Sequence, residues 1–114
     1  MKQFLVLFRE PDGRKDEHTA EDIQQHREHW NAWMTKIIAG NILLGGAPLT
    51  LNGAVIKDGM VFNGPYTRSD DEIAGGYLLI QDTNIDAAIE TIKGCPVFDF
   101  GGFAEIRECM QQKA

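Results

Sequence analysis

His26 and His29 stand one helical turn apart in a stretch that also carries both tryptophans of the chain, Trp30 and Trp33. Imidazole ordinarily titrates near neutrality, so a histidine at the edge of an apolar helix face can reach a cleft and still exchange its proton with water. At 100° per residue, Ile23, Arg27, Trp30, Met34, Ile37 and Ile38 share one stripe, and His29 lies roughly 100° from its centre, one turn before Trp33. That boundary position suits a general acid or base. The plain alternative is a half-exposed histidine stacked on Trp33 with no chemical part to play.

The other side chains able to do chemistry are scattered. Asp22 precedes His26 by a turn, but no HExxH pattern accompanies the two histidines and no third ligand is indicated on another element, so no metal and no cofactor are expected. His26 then reads as a ligand contact on the helix flank, or as packing beside the tryptophans. Trp30 points at the stripe centre and reads as core, whereas Trp33, on the flank, could wall a pocket for a small apolar ligand. Tyr66, after Gly64-Pro65, can bring its ring to the same cleft, and the segment Gly45 to Leu49, with Gly46 and Pro48, can shape it. Cys95, flanked by Gly94 and Pro96 beyond a helix C-terminus, sits where the dipole disfavours a thiolate and reads as a buried, unreactive thiol bordering the site. Gly45-Gly46 and Gly101-Gly102 fit neither GxGxxG nor a P-loop and read as backbone turns.

These residues need elements to hold them. Lys2 to Phe8 is a strand with both faces apolar, stopped by Pro11-Asp12-Gly13, and Arg9 to His18 reads as a surface loop. Thr19 can cap a helix from about Ala20 to Ala39, ended by Gly40-Asn41. Ile42 to Leu44 is a strand interrupted by Gly45-Gly46 and Pro48, where the sequence predicts a bulge or a close backbone approach rather than a regular ladder. Ala54 to Lys57 and Met60 to Asn63 form a hairpin through Asp58-Gly59. A surface connection from Arg68 to Glu72 leads into the long strand Ala74 to Gln81; Asn84 then caps a second helix that stops at Gly94. Phe98 to Gly102 reads as a loop, Phe103 to Met110 as the last strand and Gln111 to Ala114 as a polar tail.

The order β-α-β, inserted hairpin, β-α-β predicts one α+β domain over residues 1–114, a ferredoxin-like split βαβ with an antiparallel sheet and both helices on one face. Because Lys2 to Phe8 and Ala74 to Gln81 are apolar on both sides, the bare sheet face predicts a homodimer packed face to face.

The motifs carry a resemblance. Gly40-x-x-Leu43 running into Gly46-x-Pro48-Leu49, Asn63-Gly64-Pro65-Tyr66, Gly75-Gly76-Tyr77, Cys95-Pro96 and Gly102-x-x-Glu105-Ile106-Arg107 follow one another at intervals similar to those of the YCII-related, or DGPF-domain, family. The chain resembles that family over nearly its whole length. The resemblance implies a dimeric α/β-barrel assembly and a small-molecule enzyme of isomerase, lyase or dehalogenase type. It implies that His29 is the acid-base histidine of a helix, and that its partner carboxylate would stand just before a proline after the second helix. Cys95 occupies that place, which leaves Asp99 as the nearby carboxylate able to substitute. The alternative it implies is a non-catalytic ligand-binding or transcription-associated regulatory module acting through protein contacts.

Bulk properties narrow the partners. A formal charge of −6, from 17 acidic and 11 basic side chains, gives no basic stripe for a phosphate backbone, so direct nucleic-acid binding is disfavoured. The apolar run Phe4 to Phe8 is too short for a signal-peptide core or a membrane span. Two cysteines without CxxC spacing read as reduced thiols, and the chain reads as cytoplasmic with a small-molecule ligand.

Overall fold

The computed structural model describes residues 1–11, 18–68 and 72–111. Six strands and two α-helices run in the order β1 (Lys2–Pro11), α1 (Ala20–Ala39), β2 (Leu43–Pro48), β3 (Ala54–Lys57), β4 (Met60–Asn63), β5 (Glu72–Asp82), α2 (Ile85–Ile92) and β6 (Phe103–Glu108), with a 3-10 helix at Pro96–Phe100 before β6. β1, β2, β5 and β6 form one antiparallel sheet in the order β2-β5-β1-β6. With the hairpin set aside, this is the strand order of a ferredoxin-like split βαβ unit. No helix of the described residues is long and apolar enough to cross a membrane.

Local chemistry accounts for the element ends. Thr19 Oγ1 accepts the Asp22 N–H at 3.0 Å and Asn84 Oδ1 accepts the Ala87 N–H at 2.9 Å, so each α-helix has one of its orphan N–H groups satisfied by a side chain. β3 and β4 pair from Ala54↔Asn63 to Lys57↔Met60 around Asp58 (φ 53°) and Gly59 (φ 77°), the two left-handed residues of a type I′ turn. The register of β2 on β5 slips between Leu43 and Gly45, the expected bulge, after which the strand continues to Pro48. β1 runs on through Arg9, Glu10 and Pro11 where a loop was expected, and part of the predicted 98–102 loop is the 3-10 helix. The expected loop and tail segments at 12–17, 69–71 and 112–114 lie outside the described residues.

The core fills one side of the sheet. Phe4, Val6 and Phe8 of β1 and Leu78 and Ile80 of β5 meet Trp33 and Ile37 of α1 and Ala88 and Ile92 of α2. The apolar stripe of α1 is rotated from its expected position. Ile23 and Ile38 are exposed, while His26, Trp30, Trp33, Met34 and Ile37 are buried or half-buried, so the seam runs through 26, 30, 33 and 37 at spacings of four, three and four. The Trp33 indole lies beside Gly94 after α2, where a Cβ would stand in ordinary contact, 3.6 Å from Nε1.

The opposite sheet face carries Leu5, Leu7 and Leu79, all half-buried, with Tyr77 and Phe103 exposed beside them. Register places Leu5 opposite Leu79 and Leu7 opposite Tyr77, so these side chains are contiguous.

Candidate functional site

The 3-10 helix carries Asp99 under the middle of α1. Cys95 caps it, its Sγ accepting the Val97 N–H at 3.5 Å, and Gly101 in a left-handed conformation (φ 81°) ends it. Two α1 imidazoles then converge on one oxygen: His29 Nδ1 lies 2.9 Å and His26 Nδ1 3.0 Å from Asp99 Oδ2. An ionised carboxylate only accepts hydrogen bonds, so both Nδ1 atoms carry the proton in this arrangement. The Trp30 indole N–H donates to His26 Nε2 at 2.9 Å, which fixes the neutral Nδ1–H tautomer of His26. Phe100 backs the group, its ring 4.5 Å from that of His26 and stacked at 4.0 Å on His18. Burial pushes the Asp99 carboxyl up, but the hydrogen bonds from His29 and His26 and the charge they can carry outweigh it and hold the group below the ordinary 3.8.

A cavity of about 550 Å³ opens beside this cluster. Its walls include Phe8, Trp30, Met34 and Leu78, and Gly46, Ala47 and Pro48 of β2 border it. Among the described residues, its ionisable lining side chains are Glu10 and His26. His26 also borders a more polar hollow shared with Asp22, Gln25, Asp99 and Phe100, so the one imidazole separates the apolar cavity from the carboxylate side.

The sequence-derived residues therefore fall into distinct places. His29, His26 and Asp99 come together, but His26 rather than His29 lines the cavity; the His29 side chain is 47% exposed, with Nε2 bonded to no described residue. The tryptophans exchange parts: Trp33 is core at 7% exposure, whereas Trp30 is half-buried and lines the cavity, because the rotated seam turns residue 33 toward α2. Gly46 and Pro48 line the cavity. Tyr66 does not; it is 68% exposed and borders a separate hollow with Arg9, Leu49 and Thr50 at the base of the hairpin. Cys95 is 2% exposed and absent from the cavity wall, its thiol pushed up to about 12 by burial, partly opposed by the Val97 N–H and reinforced by the Asp99 charge. Among the described residues, no group of three or more His, Cys, Asp or Glu side chains is disposed to hold a metal ion.

Glu10 is the lining residue that sequence reasoning missed. The signal was present: Phe4, Val6 and Phe8 alternate toward the helices, and Glu10 is the next residue in that period of two. Burial raises its carboxyl above the ordinary 4.5, partly offset by His26.

Strand order and helix placement define an antiparallel α+β protein of ferredoxin-like build. No family model matches the chain, and no curated protein matches it. Among solved structures it is similar to the 5-chloro-2-hydroxyhydroquinone dehydrochlorinase TftG from Burkholderia phenoliruptrix AC1100, in complex with 2,5-dihydroxybenzoquinone, with a TM-score of 0.50, 18% identity and 90% of each chain covered. At that identity the likeness speaks for the fold.

Proposed function

We propose that this chain is a single-domain, YCII-related small-molecule enzyme of isomerase, lyase or dehalogenase type that works by proton transfer in the 550 Å³ cavity. The observation that carries the reading is Asp99 held between two imidazoles, one of which walls that cavity. A carboxylate accepting Nδ1–H orients each ring and stabilises the imidazolium formed when Nε2 takes a proton. His26 is the group that meets the ligand. Its Nε2 lone pair is covered by the Trp30 N–H, a neutral hydrogen bond worth about 1 kcal/mol net, which a ligand bringing its own proton donor can replace. His29, on the same carboxylate and open to water, is the second acid-base group and exchanges protons with solvent. The TftG complex with a small oxygenated ring is compatible with a cavity of this size and lining.

The test is turnover of small ring compounds, including halogenated phenols followed by halide release, in wild type and in His26→Ala, His29→Ala and Asp99→Asn. Loss of general acid-base catalysis predicts a fall of about 100-fold or more in His26→Ala and Asp99→Asn. Unchanged turnover in His26→Ala contradicts the assignment.

The saturation of His26 Nε2 by Trp30 favours one second reading, a ligand-binding or regulatory module acting through protein contacts. In that case a ligand stabilises the fold and leaves unaltered. In either reading we propose a homodimer through the sheet face of Leu5, Leu7, Tyr77, Leu79 and Phe103, since contiguous apolar surface of this kind marks an interface.

A further inference from the structure

The hairpin of β3 and β4 is apolar on both of its faces. Directly paired residues of a two-stranded ribbon point the same way, so Ile56 and Val61 share one face, and Val55, Phe62 and Met60 share the other with Lys57. Ile56 is 74% exposed, Val61 64%, Met60 60% and Phe62 49%. β3 and β4 pack against each other, and among the described residues neither makes more than slight contact with another strand or helix. A two-stranded hairpin alone in water is marginally stable at best, so a ribbon of this composition needs a surface to lie on.

The chain as a whole exposes more surface than a compact monomer does. It presents 8251 Å², against about 6200 Å² for a compact monomer of 12.7 kDa. Its radius of gyration is 15.6 Å, where about 13 Å fits a compact domain of this length. The excess area of about 2000 Å² falls within the roughly 1000–2500 Å² that each partner of an obligate homodimer buries. From strand spacing and rise, the open face of the four-stranded sheet measures about 20 by 20 Å, or roughly 400 Å² in projection. That face accounts for part of the excess, and the ribbon supplies more.

Position and charge name the partner. Leu5 and Leu7 lie on the open sheet face, and Arg9 follows them in the same alternation, its Nε 3.5 Å from Oε1 of Glu105, the residue paired with Leu7. Arg9 also borders the hollow at the hairpin base, with Leu49, Ala54 and Tyr66. The ribbon therefore springs from the margin of the face that is proposed to meet a second copy. Lys57 and Asp58 cancel, so the ribbon brings no net charge to a partner that carries −6.

We propose that the β3–β4 hairpin is an exchanged arm: it packs its apolar side chains on a second copy of this chain, and two-fold symmetry places each arm on the other copy. This rests on the sheet-face dimer proposed above and adds to it a segment outside the four-stranded sheet. The arm gives the ribbon the surface that its own chain does not provide.

Two measurements on the full chain test it. In sedimentation equilibrium, Ile56→Ser and Val61→Ser introduced together, which leave the net charge and the Asp58-Gly59 turn unchanged, should raise the dimer Kd at least about tenfold. Both side chains are exposed in the single chain, so its circular dichroism should not change. The second measurement needs no variant: in an equal mixture of isotope-labelled and unlabelled chains, filtered nuclear Overhauser spectra should show the Ile56 and Val61 methyls touching the other copy. An unchanged Kd, or contacts between copies from Leu5 and Leu7 with none from the hairpin, overturns the arm and leaves the sheet-face dimer standing. A wild type that sediments as a monomer at micromolar concentration overturns both.

Discussion

Replacing Asp99 by Asn removes the charge that organises the cluster while keeping its shape. Wild-type Asp99 accepts from His29 at 2.9 Å and His26 at 3.0 Å through a single oxygen. Hydrogen bonds to a charged group contribute roughly 1.5–3 kcal/mol each when well buried, but the Asp99 side chain is 32% exposed, so solvent screening brings each to about 1 kcal/mol. An amide oxygen can retain part of one bond. The net loss at neutral pH is about 1–2 kcal/mol, or roughly 4–10 °C in Tm for a domain of this size. The pH dependence separates this account from a packing effect. Because the folded carboxyl is held below its ordinary 3.8, its contribution is present above that value and is lost as pH falls through the lower folded value. Urea unfolding of both proteins should therefore show a gap from pH 7 down to about 4 that closes in more acid solution. A gap of equal size at pH 7 and well below 3.8, or none at pH 7, refutes the reasoning.

Gly75→Ala should displace the Glu10 carboxyl from beside the β5 bulge with little change in the core, because the colliding atoms belong to the outer end of a flexible side chain; urea unfolding should show a cost below about 2 kcal/mol, and a larger loss contradicts it. Cys95 is protected in its neutral form, so its contribution is complete below pH 9.0 and is lost progressively toward pH 12, about 4 kcal/mol in total. Cys95→Ser, which keeps an acceptor for the Val97 N–H, should flatten the alkaline limb of a stability-pH curve; an unchanged limb contradicts it. Leu5→Glu, opposite Leu79 on the open sheet face, should convert a sedimenting dimer to monomer at micromolar concentration, and a wild type that sediments as monomer removes the proposed interface.

What could be read in the sequence follows from how local each signal is. Thr19 and Asn84 cap helices through contacts three residues away, and Asp58-Gly59 closes a two-residue turn, so α1, the start of α2 and the hairpin were legible from neighbouring residues. The Leu43 to Gly45 slip was legible because paired glycines weaken a regular ladder. Trp33 packs into the core and Trp30 lines the cavity, an order that helical angle alone does not show because it depends on how α1 sits against α2 and the sheet. Glu10 was hidden by the Pro11-Asp12-Gly13 turn signal, which suggested that β1 ended at Phe8, although the alternation continued through the acid. Asp99 and His29 were each singled out, but their contact spans 70 positions and arises from the fold of the sheet, so no spacing within α1 showed that His26 shares the same oxygen.

The arrangement of Asp99, His26 and His29 is tested most directly by long-range proton–nitrogen correlation spectra of the imidazole rings at a pH where both are neutral. The geometry predicts that His26 and His29 each carry their proton on Nδ1, with Nε2 bare, and that Asp99→Asn removes this tautomer from at least one of them. Nε2–H tautomers at both rings in the wild type, unchanged by the Asp99 substitution, would contradict it.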